Sequence, residues 1–192
     1  SLWGSSFLMM KYALEELDAY NISFYRILIG MVFINILNFK KTKLPIRKHF
    51  QLALVGLLWM SFPFYLFAKA EETITSSLAG LINGSTPIFI SLIAVLIFKD
   101  KILKKQIIYL LTGFIGIYFV SFGFSNAFED FNLGAMLALL ASVSYGFAAN
   151  IVQSLIKEYG SLQTLKIALR YATVISFILL NVNSSLSVPT YE

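Results

Sequence analysis

Apolar residues in this chain come in long unbroken runs separated by short polar connectors. Seven runs can be marked, at residues 2–14, 22–39, 50–69, 73–98, 105–124, 131–156 and about 162–182. Helices need roughly 20 residues to cross the hydrocarbon layer of a bilayer, whereas a membrane strand needs only about 9–11 alternating ones. Inside lipid, only helices and closed barrels satisfy their own backbone hydrogen bonds. The pattern therefore predicts an all-α fold, a polytopic membrane helical bundle whose neighbours run antiparallel because the connectors are short. The first run is shorter than a span requires. The chain opens on "SLWGSSF" without Met and stops in polar "NSSLSVPTYE", so it reads as a fragment with its first helix clipped.

The fourth run is the least uniform. "LAGLINGSTPIFIS" puts Asn83, Gly84, Ser85, Thr86 and Pro87 in a row at the centre of an otherwise apolar stretch. Pro87 has no N–H, so the carbonyl of Asn83 loses its helical partner, and the ring pushes against the preceding turn. A kink and an unpaired polar group are expected near half-depth, where each unsatisfied group costs several kcal/mol. The groups able to answer it are Ser85, Thr86, a neighbouring helix, or water in a cavity. Two readings follow: a packing kink, or a polar patch lining a solute cavity, the second being preferred. Ser76, Gly80 and Gly84 recur at four-residue spacing on the same helix, a small-residue stripe expected to pack closely against another helix.

Charges inside the runs are few. No acidic residue falls within any of them, and Glu71 and Glu72 read as loop residues. Arg26 and Lys11 sit about one turn inside the ends of their runs, where they either snorkel or line a cavity. If the seventh run starts near Leu162, Arg170 lies about 12 Å deep and is expected to face the interior, with Lys166 on the same face. Trp3, Tyr65 and Tyr145 stand beside Gly, Pro or polar residues and are candidate cavity walls. Pro63, just before Tyr65, marks a second expected kink.

Composition agrees with the pattern. Residues are 58% hydrophobic and 13% charged, with a mean hydropathy of +0.77, against about 45–50% and 25% in soluble domains. There is no cysteine and only one histidine, which leaves no Cys-based metal site. Phosphate-loop, dinucleotide, zinc-protease and nucleophile-elbow motifs are absent, so no enzyme activity and no cofactor are expected. The net charge of +5 comes from Lys and Arg gathered in every second connector. That distribution reads as a topology signal rather than a nucleic-acid surface, and it places the N-terminus in the cytoplasm. A weak internal echo lays residues 2–17 on 144–159, with Trp3 on Tyr145, Gly4 on Gly146 and Glu16 on Glu158. Five helices separate the copies, so the second would be inverted, a common plan in secondary transporters.

At this point "WGSSFLMMKYALEELDAYNISFYRILIG", with its Tyr25-Arg26 pair, resembles the first two helices of the drug/metabolite transporter superfamily, EamA-like branch. "TSSLAGLINGSTPIFISLIAVLIFKDKI" resembles its fourth helix, with Thr86-Pro87 and a closing acidic-basic pair, here Asp100-Lys101 where Glu-Arg is usual. "GAMLALLASVSYGFAANIV" resembles the start of its second repeat. The resemblance implies ten helices in two inverted five-helix repeats. Residues 1–126 would be the first repeat and 127–192 the start of the second, which would be truncated.

The expectation is a secondary transporter of small organic metabolites, amino acids or derivatives among them, in the plasma (inner) membrane. Its pathway would use Trp3, Arg26, Tyr65, Asn83, Thr86, Pro87, Tyr145 and Arg170. Partners would be a small-molecule solute and the lipid bilayer, with no nucleic acid and a homodimer left open. No proton carrier is evident, since no carboxylate lies in the runs. The alternative is a non-transporting membrane scaffold or regulatory subunit that associates through its small-residue helix faces.

Overall fold

The computed structural model describes residues 2–36, 44–101, 103–122, 132–184 and 186–187, without the side chains of residues 2–4, 104, 114, 117, 118 and 120–122. All regular structure among them is helical. The elements are α1 (Leu2–Ala13), α2 (Ala19–Ile36), α3 (Ile46–Gly56), a π-helical turn (Leu57–Ser61), α4 (Phe62–Glu71), α5 (Ser76–Gly84), α6 (Thr86–Leu96), α7 (Lys104–Phe122), α8 (Leu133–Tyr159) and α9 (Ser161–Asn183). Among the described residues, five stretches are long and apolar enough to cross a membrane: α2, the continuous Ile46–Glu71, the broken Ser76–Leu96, α8 and α9. Their outward faces carry large apolar side chains such as Phe33, Leu96 and Val182, which suits contact with lipid tails. The protein is a multi-pass membrane bundle.

Local chemistry starts and stops the helices. Thr75 Oγ1 accepts from the Leu78 N–H at 3.2 Å and opens α5. Asn132 Oδ1 accepts from Gly134 N at 2.8 Å and opens α8, while its amide donates to the Thr73 carbonyl at 3.2 Å. Such side-chain oxygens satisfy the free N–H groups of a first helical turn. Gly160, at φ +79°, takes the left-handed turn between α8 and α9 that a side chain would resist.

Three contacts order the ends of the bundle. Ser184 donates to Asp18, Asn132 reaches Thr73, and Lys48 pairs with Glu158 at 2.6 Å. The first two join connectors at one end, here the acidic end. The third joins the first turn of α3 to the last turn of α8 at the other, the basic end. The lysines at 40, 41 and 43 and the acids at 129 and 130 lie outside the described residues.

α8 is the central helix. Ala135, Ala138, Ala141, Ser142 and Ala148 are fully buried along one side of it, and it packs against α4, α5, α6 and α9. Small side chains let backbones approach closely where hydrophobicity alone drives nothing. A Cβ on Gly134 would lie 2.7 Å from the Ala70 carbonyl, and one on Gly146 would lie 2.7 Å from Ile93 Cδ1 and 3.1 Å from the Phe89 backbone. Gly56 meets the Ala168 carbonyl of α9 at 2.6 Å in the same way. The expected Ser76, Gly80, Gly84 stripe behaves differently. Among the described residues a Cβ on Gly80 meets nothing within 4 Å, Ser76 Oγ reaches the Phe7 carbonyl at 3.5 Å, and Gly84 borders a cavity. Close packing is carried by α8 because its small residues face three helices at once.

Candidate functional site

Two membrane-length helices are interrupted near their middles. In the first, Pro63 removes the N–H that would serve the Trp59 carbonyl in α register. The chain answers one turn earlier by widening into the π-helical turn at Leu57–Ser61, where the Phe62 N–H reaches back five residues to the Leu57 carbonyl. Neighbouring hydroxyls complete the turn. Ser144 of α8 donates to the Leu58 carbonyl at 2.7 Å, and Ser61 donates to the Ala172 carbonyl of α9 at 3.0 Å.

The second interruption falls at the polar stretch. Ser85 leaves helical geometry (ψ −9°), and its N–H is shared between the Ile82 and Asn83 carbonyls. Ser85 Oγ donates to the Ile82 carbonyl at 2.5 Å, and Ser142 of α8 donates to the same atom at 3.2 Å. Hydroxyls on its own and a neighbouring helix thus answer part of the defect. The Thr86 hydroxyl is shielded from solvent and has no hydrogen-bond partner among the described residues.

A cavity of about 320 Å³ lies between the two interruptions. Asn83, Gly84, Thr86 and Pro87 line it from one side, Trp59 of the π turn from another, and Tyr145 and Ala149 of α8 from a third. Its wall is mainly aromatic and aliphatic, with an amide and a hydroxyl set into it, the usual make-up of a small-molecule pocket. A second, more polar cavity of about 450 Å³ opens toward the basic end between α6, α7 and α8, with Ser91, Asp100, Gln106, Asn150 and Gln153 on its walls. Ile90 borders both. Asn150 donates to the Ile90 carbonyl at 3.0 Å and ties α6 to α8 at that point.

Asn83, Thr86, Pro87 and Tyr145 are therefore brought together. The others disperse. Tyr65 stacks on Tyr20, with centroids 4.3 Å apart, between α2 and α4. Arg26 points into the bundle rather than snorkelling. Its guanidinium lies 4.4 Å over the Phe64 ring and donates to Ser6 Oγ at 3.0 Å and to Met10 Sδ at 3.2 Å. Arg170 does not face the interior as expected. It is exposed and donates to Asn35 Oδ1 of α2 at 2.5 Å, because α9 turns that face along α2 and buries Ala168, Leu169 and Ala172 instead. The side chain of Trp3 lies outside the described residues.

Two residues were missed by sequence reasoning. Trp59 stands in an apolar run with no polar neighbour to single it out. Glu71 was assigned to a loop, yet it is the last residue of α4 and is fully buried. Its place two residues after Lys69 hid it. Lys11 is exposed, yet its ammonium turns back to donate to the Glu71 and Ile74 carbonyls, the latter at 3.2 Å, and so caps the end of α4.

Comparison with known proteins agrees in one direction. The family model described as the EamA-like transporter family matches residues 1–122. A protein of Haemophilus influenzae named "Uncharacterized transporter" is 27% identical over 173 residues, covering 85% of this chain and 56% of its own length. The "Uncharacterized transporter YdfC" of Bacillus subtilis is 26% identical over 161 residues, covering 83% and 52%. An "Uncharacterized transporter" of Archaeoglobus fulgidus is 26% identical over 145 residues, covering 76% and 43%. The chain spans about half the length of the curated relatives it matches. No solved structure matches it. None of this supports the homodimer.

Proposed function

Since the chain belongs to the EamA-like transporter family, we propose that it serves in a secondary transporter moving small organic metabolites, amino acids or their derivatives included, by alternating access. The observation that carries the reading is the cavity between two facing helix interruptions. Non-helical backbone at membrane depth is tolerated where it is buried in protein or lines a cavity, and secondary transporters place solute sites at such breaks. Asn83 and Thr86 would supply polar contacts, Trp59 and Tyr145 the walls, and the turn at Ser85–Pro87 the bend. Arg26, held inside the bundle, would draw a carboxylate toward the cavity, a role that fits it better than Arg170. The polar cavity beyond Ile90 would be the way out toward the basic end. Residues 1–126 would form one five-helix repeat and 127–192 the start of an inverted second.

The basic end would face the cytoplasm of a plasma (inner) membrane. Because the chain has no cysteine, single cysteines at Glu16 and Lys157 test this directly with an impermeant thiol reagent. Labelling from opposite sides, Lys157→Cys from within, is the expected result. Transport itself is tested by a metabolite screen of cells overexpressing the protein, followed by flux of any hit in Asn83→Leu. A large loss of flux at unchanged membrane abundance is expected, and unchanged flux would remove the central cavity from the path.

A further inference from the structure

Glu71 is an acid with no visible answer. It is fully buried, and neither carboxylate oxygen has a hydrogen-bond partner among the described residues. The groups around it come from every helix that packs on the end of α4. Lys11 of α1 and Arg26 of α2 are the cations whose charge reaches it, and α5 brings the Ser76 hydroxyl near it, although that hydroxyl points to the Phe7 carbonyl at 3.5 Å and makes no bond to the carboxylate among the described residues. The Lys11 ammonium, however, is engaged by two backbone carbonyls, and no ion pair to Glu71 forms among the described residues. α8 brings backbone contact at Gly134 and, farther along, Tyr145, which with Glu71 makes up the electrostatic surroundings of Arg26. On α4 itself, Glu72 turns away to Lys69 at 2.6 Å.

A buried ionised carboxylate without hydrogen bonds is among the costliest arrangements a protein can hold. Arg26 has the complementary problem, since its partners are a hydroxyl, a thioether and an aromatic face, none of which neutralises it. Two opposite charges thus share one interior region without touching. The simplest way for the acid to rest there is to bind a proton.

We propose that Glu71 is a proton-binding site, exchanging with solution at the acidic end of the bundle and tied electrostatically through Arg26 to the central cavity. Uptake forms one O–H bond on the carboxyl and cancels one negative charge, and nothing else is consumed or released. An anionic group arriving beside Arg26 screens that cation from Glu71 and favours the protonated acid. By linkage, protonation then favours the anion by the same factor. The consequence, solute moving together with a proton, rests on the transport reading; the proton site does not.

The test is infrared difference spectroscopy of the purified protein in lipid, stepped from about pH 9 to about pH 5, a window wide enough for a perturbed buried acid. In the wild type, a carboxylic C=O band should grow as pH falls. It should be missing in Glu71→Gln. In Arg26→Gln, where a cation that favours the ionised form is gone, it should already be present at least about one pH unit higher. A Gln variant with the wild-type spectrum overturns the assignment, and a band indifferent to Arg26→Gln overturns the tie to the cavity. Should Glu71→Gln fail to fold, Glu71→Asp serves instead: a band that shifts supports the site, and an unmoved band overturns it. No solute enters the measurement. A negative result here leaves the transport reading standing, and a metabolite screen without a hit leaves the proton site standing.

Discussion

The two helix interruptions that flank the central cavity look alike in outline and differ in chemistry. Each has a proline and each departs from α geometry near half-depth. The π turn at Leu57–Ser61 is closed: Ser144 serves the Leu58 carbonyl, Ser61 serves α9, and Met60 and Ser61 are buried. The break at Ser85–Pro87 is closed on one side only. Serines serve the Ile82 carbonyl, while the Thr86 hydroxyl keeps no partner among the described residues and Asn83, Thr86 and Pro87 border the cavity. A fully satisfied defect is a piece of scaffold. A partly satisfied one holds polar capacity for something else, and natural proteins leave few such groups without a reason.

The contrast can be attacked by mutation, starting where the effect is largest. Gly56→Leu, just before the π turn, would drive a side chain into the Ala168 carbonyl, 2.6 Å from where its Cβ must sit. Overpacking against backbone costs about 3 kcal/mol or more, so the yield of monodisperse protein in detergent should collapse. Ser144→Ala is next. It leaves the Leu58 carbonyl of the π turn without a side-chain donor and should lower thermal stability by about 0.5–2 kcal/mol, read from the tryptophan fluorescence melt. If stability holds, the π turn is not the scaffold described here.

Thr86→Val should behave in the opposite way. It removes a hydroxyl that bonds nothing among the described residues, so the melt should change by no more than about 0.5 kcal/mol while flux of a transported solute falls. Pro87→Ala restores a backbone N–H and should likewise leave stability nearly unchanged, with slower flux because the bend is stiffened. A stability loss in Thr86→Val as large as that in Ser144→Ala would erase the distinction between the two breaks.

How far the chain could be read in advance depended on range. The helical membrane bundle follows from run lengths alone, because backbone hydrogen bonds must close within each span. The break at residues 83–87 follows from Pro87 and its polar neighbours, a local effect. The π turn was anticipated only as a kink at Pro63, since its register depends on Ser144 eighty-six residues away in sequence. Glu71 escaped because burial at the end of α4 is created by α1 and the start of α8, neither of which touches it in sequence. Arg170 was expected to face the interior and is exposed. Facing is set by the packing of α9 on α2, and an apolar run with little periodicity does not encode it. Small-residue spacing was equally ambiguous: the stripe through Gly80 fits the pattern, but the helix that needed small residues was α8.

The place of Ile90 has a kinetic consequence. One residue forms part of the wall of two chambers, the place an aperture stop would occupy in the proposed path. Rotamer hops of single side chains take picoseconds to nanoseconds, whereas rocking of helix bodies takes microseconds or longer. On the transport reading, leakage of ions or water between the two chambers would be set by the girth of this one isoleucyl group. On that same reading, trimming it to alanine would trade selectivity for throughput while leaving Ser85, Thr86 and Pro87 in place.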